Sequence, residues 1–179
     1  MIDLSTFIPV PITAAIISAA VSFGVQYYFR QIDKQAQYNS LIKSLHTELI
    51  TLKKIYTPLR IGPDYESGNT GINIASITLN YTTVYANNAD KLGMLDDETA
   101  AAVVEAYTRI SSLLDTWLCY SKVYEKLVDY EHSAQRSDTF SPELANRYYQ
   151  DVQRNHAITF EIQENTLQAV DRAMKLLNT

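Results

Sequence analysis

Charge is missing from one long stretch of this 179-residue chain: from Leu4 to Phe29 no position carries Asp, Glu, Lys or Arg. Cysteine is almost absent, with Cys119 alone, so the disulfide framework of a small secreted domain is ruled out and a reducing compartment is the better match. Only three histidines occur, His46, His132 and His156. None stands in a His-Glu-x-x-His or Glu-x-x-His spacing that would set two ligands on one helix face, so no metal site is expected. The five glycines form neither Gly-x-x-x-x-Gly-Lys nor Gly-x-Gly-x-x-Gly, which removes the usual phosphate-binding loops and any cofactor they would hold. Glu161 and Glu164 are three residues apart and read as a solvated helix face, and Cys119, beside Trp117 and Tyr120, reads as a small buried hydrophobe. No catalytic signature is left, and the sequence points away from an enzyme.

What the uncharged run does offer is length. About twenty apolar residues in a helix cross the hydrocarbon core of a bilayer, so residues 9–29 are expected to form a transmembrane helix, with residues 1–8 as a short external N-terminus. A cleaved signal peptide needs a basic region ahead of its apolar core, and here only Asp3 precedes it. Arg30, Lys34 and Lys43 all follow the run, and basic residues near a span stay on the cytoplasmic side. The expected topology is single-pass in the inner membrane, N-terminus outside and domain in the cytoplasm. Tyr27, Tyr28 and Phe29 sit where aromatic rings prefer the headgroup level.

Residues 30–179 are enough for one domain with a real core. Residues 58–179 carry ten basic and seventeen acidic groups, an excess that phosphate backbones repel, so no nucleic-acid partner is expected.

Apolar spacing in this domain is helical throughout. Tyr38, Ile42, Leu45, Leu49, Leu52 and Tyr56 form a heptad seam flanked by Leu41 and Ile55, continuing the first helix to Thr57, where Pro58 stops it. Ile72 to Val84 is rich in β-branched residues, yet Ile74, Ile77, Tyr81, Val84 and Asn88 step as a helix. Lys91 and Gly93 read as the end of that helix, with Gly93 as a left-handed cap. Asp96 then caps a helix whose first turn holds Asp97 and Glu98. That helix carries the broadest face, Val103, Tyr107, Ile110, Leu114, Trp117, Ser121, Tyr124 and Val128, flanked by Leu113, Tyr120 and Leu127. Ser141, Pro142 and Glu143 open a last helix through Leu144, Tyr148, Val152, Ile162, Leu167, Val170, Met174 and Leu177. The expected fold is all-α: one transmembrane helix continuing into an antiparallel four-helix cytoplasmic bundle with coiled-coil seams.

Two patterns bear on partners. Tyrosines recur at or beside seam positions, where a ring with an apolar body and a polar edge fills the margin between helices; the competing reading makes part of them a binding surface. In the first helix Ala15, Ser18, Ala19, Ser22 and Gln26 share one arc, opposite Ile16 and Phe23. Small residues allow close backbone approach in lipid and glutamine can bond across, so this arc is a candidate packing face for a homo-oligomer.

The stretch Asn88 to Asp97, with Lys91-Leu92-Gly93-Met94-Leu95 before an Asp-capped helix, together with the overall layout, resembles a loose group of uncharacterised bacterial single-pass membrane proteins with a helical cytoplasmic domain. The resemblance implies the same layout and brings no activity with it. The leading expectation is a membrane-tethered, non-enzymatic helical interaction or sensing module whose partners are membrane lipid and an unknown cytoplasmic protein. The alternatives are an oligomerising membrane effector of a bacterial defence or toxicity system, and an enzyme without a recognisable motif.

Overall fold

The structure, a computed structural model, describes residues 10–57, 82–137 and 141–178. Every regular element among them is helical. α1 spans Val10–Tyr56, α2 Thr83–Asn88, a 3-10 turn Ala89–Met94, α3 Asp97–Ser137 and α4 Pro142–Leu177. The expected all-α class holds, with three long helices and one short one. Of the helix read over Ile72–Val84, residues 72–81 lie outside the described residues, and α2 begins only at Thr83.

The chain forms two compact units, residues 1–41 and 42–179. In the first, the described side chains from Ser18 to Gln37 are exposed without exception. The transmembrane span expected over 9–29 is not met: among the described residues no helix is long and apolar enough to cross a membrane. Thr13, Ser18, Ser22 and Gln26 dilute the apolar run, and its opening residues, 4–9, fall outside those described.

The second unit has its own core. Leu45, Leu49, Leu52 and Tyr56 from α1 are buried, as the heptad spacing requires. On α3 the buried stripe runs through Val103, Ala106, Ile110, Leu113, Trp117, Tyr120 and Leu127. Leu114, Tyr124 and Val128, expected at its centre, lie at its half-buried margin. Cys119 is exposed rather than buried, because at about 100° per residue it points roughly 200° away from Trp117.

α4 departs further from expectation. Its buried residues are Ala145, Val152, Thr159, Gln163, Thr166, Ala169, Val170, Ala173 and Leu177, so much of the seam is small or polar. Two threonines fit because each hydroxyl bonds four residues back along the helix, Thr159 to Asn155 O and Thr166 to Ile162 O, both at 2.7 Å. A hydroxyl satisfied this way can be buried without an orphaned polar group. Leu144, by contrast, is exposed.

Ring and ion-pair contacts fix helix direction. Glu48 of α1 meets Tyr107 of α3, and further along both helices Tyr56 meets Trp117 edge-on with centroids 5.4 Å apart, so these two helices run parallel. α4 runs against both: Lys53 pairs with Asp171 at 2.6 Å, while Gln163 reaches Tyr56. α4 is therefore the antiparallel partner of α1 and α3, the alternation of direction that an up-down bundle of four helices has.

Candidate functional site

A buried carboxylate, that of Glu48, joins three helices. It lies on the buried seam of α1, 8% exposed, where a carboxylate needs hydrogen bonds to offset its lost hydration. Three donors converge on it. The Val84 amide donates to Oε1 at 2.7 Å, the Tyr85 amide to Oε2 at 3.0 Å, and the Tyr107 hydroxyl to Oε2 at 2.6 Å. Val84 and Tyr85 are in the first turn of α2, whose amides have no partners within the helix. Glu48 thus caps one helix from the side of another, and its negative charge faces the positive end of the α2 dipole. Tyr85 also stacks on Tyr107, centroids 4.1 Å apart and planes 14° apart.

The electrostatic consequence falls on Tyr107. Burial pushes its hydroxyl well above the ordinary phenol range, and the bond to Glu48 adds to that shift. The phenol is thus held in its neutral form, as a donor to the carboxylate. The arrangement joins α1, α2 and α3 at one carboxylate.

Two other junctions are closed the same way. Gln163 Nε2 donates to Tyr56 O at 2.7 Å, satisfying one of the last carbonyls of α1. Between α3 and α4, the Tyr130 hydroxyl donates to Ser141 O at 2.9 Å and accepts from Ser141 N at 2.7 Å. Ser141 itself accepts from Leu144 N at 3.4 Å, as the cap ahead of Pro142. Asp96 caps α3 as expected, with its carboxylate taking Thr99 N at 2.9 Å and the Thr99 hydroxyl at 2.7 Å. Those bonds hold its carboxyl below the usual range. Gly93 is not a left-handed cap: it lies inside the 3-10 turn, which closes through Leu95 N to Leu92 O at 3.0 Å.

The residues singled out for helix packing, Ala15, Ser18, Ala19, Ser22 and Gln26, lie on α1 and are exposed. The tyrosines divide. Tyr56, Tyr107 and Tyr120 are core, Tyr85, Tyr124, Tyr130 and Tyr148 are half-buried and Tyr149 is exposed, donating a hydrogen bond to Glu131. Most of these rings thus lie at the half-buried margin or in the core, and Tyr81 lies outside the described residues. His156 packs edge-on against Tyr120 at 6.2 Å, and among the described residues no group of three His, Cys, Asp or Glu side chains is placed to hold a metal ion. On the surface, Arg172 joins Glu98 at 3.6 Å and Glu105 at 4.0 Å, and Glu105 also holds Arg109 at 2.8 Å. Glu105, Arg109 and Arg172 line a shallow cleft with Asn165 and Gln168; both arginines there are already matched by carboxylates.

Glu48 could not have been found by motif. Its partners lie 36, 37 and 59 positions along the chain, and a glutamate on a heptad helix reads as surface. Its place between Leu45 and Leu49 was the only local sign. No protein-family model, curated protein or solved structure matches this chain.

Proposed function

We propose that the chain is a non-enzymatic helical interaction module tethered to a membrane through the N-terminal part of α1. The observation that carries this reading is the uniform exposure of Ser18 to Gln37, which includes Phe23 at 73%, Tyr27 at 66% and Tyr28 at 64%. A contiguous apolar and aromatic surface of this kind marks an interaction site. Lipid is the partner chosen because the run from Leu4 to Phe29 has no charge, while Arg30 and Lys34 follow directly behind the aromatic residues. The non-enzymatic part is supported by the use of Glu48 to join helices and by the pairing of the cleft arginines. The test is extraction of full-length protein from cells. It should stay in the membrane pellet through an alkaline carbonate wash, and a form lacking residues 1–30 should leave with the supernatant. Release of the full chain by carbonate would overturn the tether.

A second reading, self-association as a membrane effector, draws on the shared exposed arc of Ala15, Ser18, Ala19, Ser22 and Gln26. Ser18→Ile with Ser22→Ile should abolish crosslinking between copies while Phe23→Leu leaves it unchanged; a monomer in both backgrounds removes this reading.

A further inference from the structure

A concave polar surface lies between α3 and α4. The cleft there has a volume of about 190 Å³, with Glu105 and Arg109 on one side and Asn165, Gln168, Ala169 and Arg172 on the other. Asn165, Gln168 and Arg172 follow one another at helical spacing and share one face of α4, while Ala169, 8% exposed, forms the floor. Pockets for drug-sized ligands begin at roughly 300 Å³, so this one takes a single ring or side chain. Its hydrogen bonding is uneven. Arg109 places both Nε, at 2.9 Å, and Nη2, at 2.8 Å, on the same oxygen, Glu105 Oε1. Glu105 Oε2 faces Arg172 Nη1 at 4.0 Å, and Arg172 Nη2 stands 3.6 Å from Glu98 Oε1. These are ion-pair distances, too long for hydrogen bonds. Among the described residues the pairs therefore match charge, yet leave an acceptor, Oε2, beside unbonded guanidinium N–H groups. Two arginines against Glu98 and Glu105 make the cleft formally neutral, so it exerts no net pull on a carboxylate or a phosphate.

We propose that this cleft binds a neutral sugar or polyol through a pair of neighbouring hydroxyl groups. A hydroxyl both donates and accepts, so one can donate to Glu105 Oε2 while its neighbour accepts from Arg172, bridging the 4.0 Å that the ion pair leaves open. Asn165 and Gln168 supply amide donors and acceptors along the rim for a third hydroxyl. A carboxamide also presents a donor beside an acceptor, but its oxygen and nitrogen are only about 2.2 Å apart. That is closer than neighbouring hydroxyl oxygens and a poorer match to partners 4.0 Å apart. Every residue of the cleft belongs to the second unit, so the site is independent of the tether.

Nuclear magnetic resonance titration of the full-length protein in a sugar-free detergent tests this, read at the side-chain amide signals of Asn165 and Gln168. Methyl mannopyranoside and methyl glucopyranoside are the probes, with isopropanol, acetamide, sodium acetate and inorganic phosphate as comparisons. At least one glycoside should give saturable shifts at both amides, while isopropanol, with its lone hydroxyl, gives none. Arg172 is exposed, so Arg172→Gln leaves the buried stripes intact and should keep the helicity unchanged. It should weaken glycoside binding about tenfold, the value of one hydrogen bond to a charged group. Saturation by neither glycoside, shifts that persist undiminished in Arg172→Gln, or tighter binding of acetamide, acetate or phosphate than of either glycoside would each overturn the proposal.

Discussion

Two aromatic residues carry the heaviest duties of the core, and each invites a measurement. Trp117 is 1% exposed and packs edge-on against Tyr56, so its removal takes a large apolar volume out of a site bounded by two other helices. Trp117→Ala should cost about 3–5 kcal/mol, read from the urea midpoint at unchanged slope. Among the described residues its Nε1 has no hydrogen-bond partner, so Trp117→Phe should cost less than its loss of area implies, because a buried unmet donor goes with the ring. Tyr107 gives a different signature. Its proton is held more tightly in the folded chain than in the unfolded one, through burial first and Glu48 second. Its contribution to stability is therefore complete below about pH 10, the ordinary phenol value, and is lost as pH rises beyond it, where the unfolded chain gives up a proton that the folded chain keeps. Tyr120, raised by burial, and Tyr149, raised chiefly by its bond to Glu131, act in the same direction. Tyr107→Phe should destabilise the protein by about 1–3 kcal/mol at pH 7 and flatten the decline in denaturation midpoint above pH 10. An unchanged alkaline slope would contradict the assignment.

Helix ends are where the elements are joined, and side chains from other helices do much of the joining: Glu48 on α2, Gln163 on α1 and Tyr130 at the start of α4. Tyr130 is the simplest to isolate, since one hydroxyl serves both backbone groups of Ser141. Tyr130→Phe keeps the ring against Tyr148, 5.4 Å away, and deletes only that oxygen. It should cost about 1 kcal/mol and raise amide exchange over Ala145 to Tyr149 with little effect near Val170; uniform exchange along α4 would show that the junction is held by other contacts. The same elements explain what the sequence could and could not say. The seams of α1 and much of α3 were legible because leucine, isoleucine and tryptophan repeat there at helical spacing, and the caps at Asp96 and Ser141 were legible because capping is local. The core of α4 was not, because Thr159, Gln163 and Thr166 look like surface until their bonds to Asn155, Tyr56 and Ile162 are seen. Gly93 misled because a Lys-Leu-Gly run suits a left-handed cap, while this turn instead tightens into 3-10 geometry and needs none. Capping by Glu48 from a different helix leaves no pattern, since its donors are two backbone amides and a distant phenol.

For the whole molecule the deciding fact is the division at Leu41 and Ile42. Residues 42–179 bury a contiguous apolar set drawn from three helices, with Leu45, Leu49 and Leu52 meeting none of the exposure seen from Ser18 to Gln37. Most helical stability in proteins comes from packing of such a face rather than from intrinsic propensity. The second unit should then fold without the first. Its overall charge is consistent with solubility on its own, because residues 58–179 carry the acidic excess and the uncharged run is confined to the N-terminal side. Deleting residues 1–30 should leave a strongly helical protein by far-ultraviolet circular dichroism that melts in one cooperative transition, with a midpoint within a few degrees of the full chain in detergent. The same deletion should abolish the membrane retention proposed for the full-length form, which separates attachment from folding in a single pair of proteins. A broad, non-cooperative melt of the shortened chain would mean that the core of α1, α3 and α4 depends on the uncharged segment, and the tether and the module would have to be reconsidered as one structure.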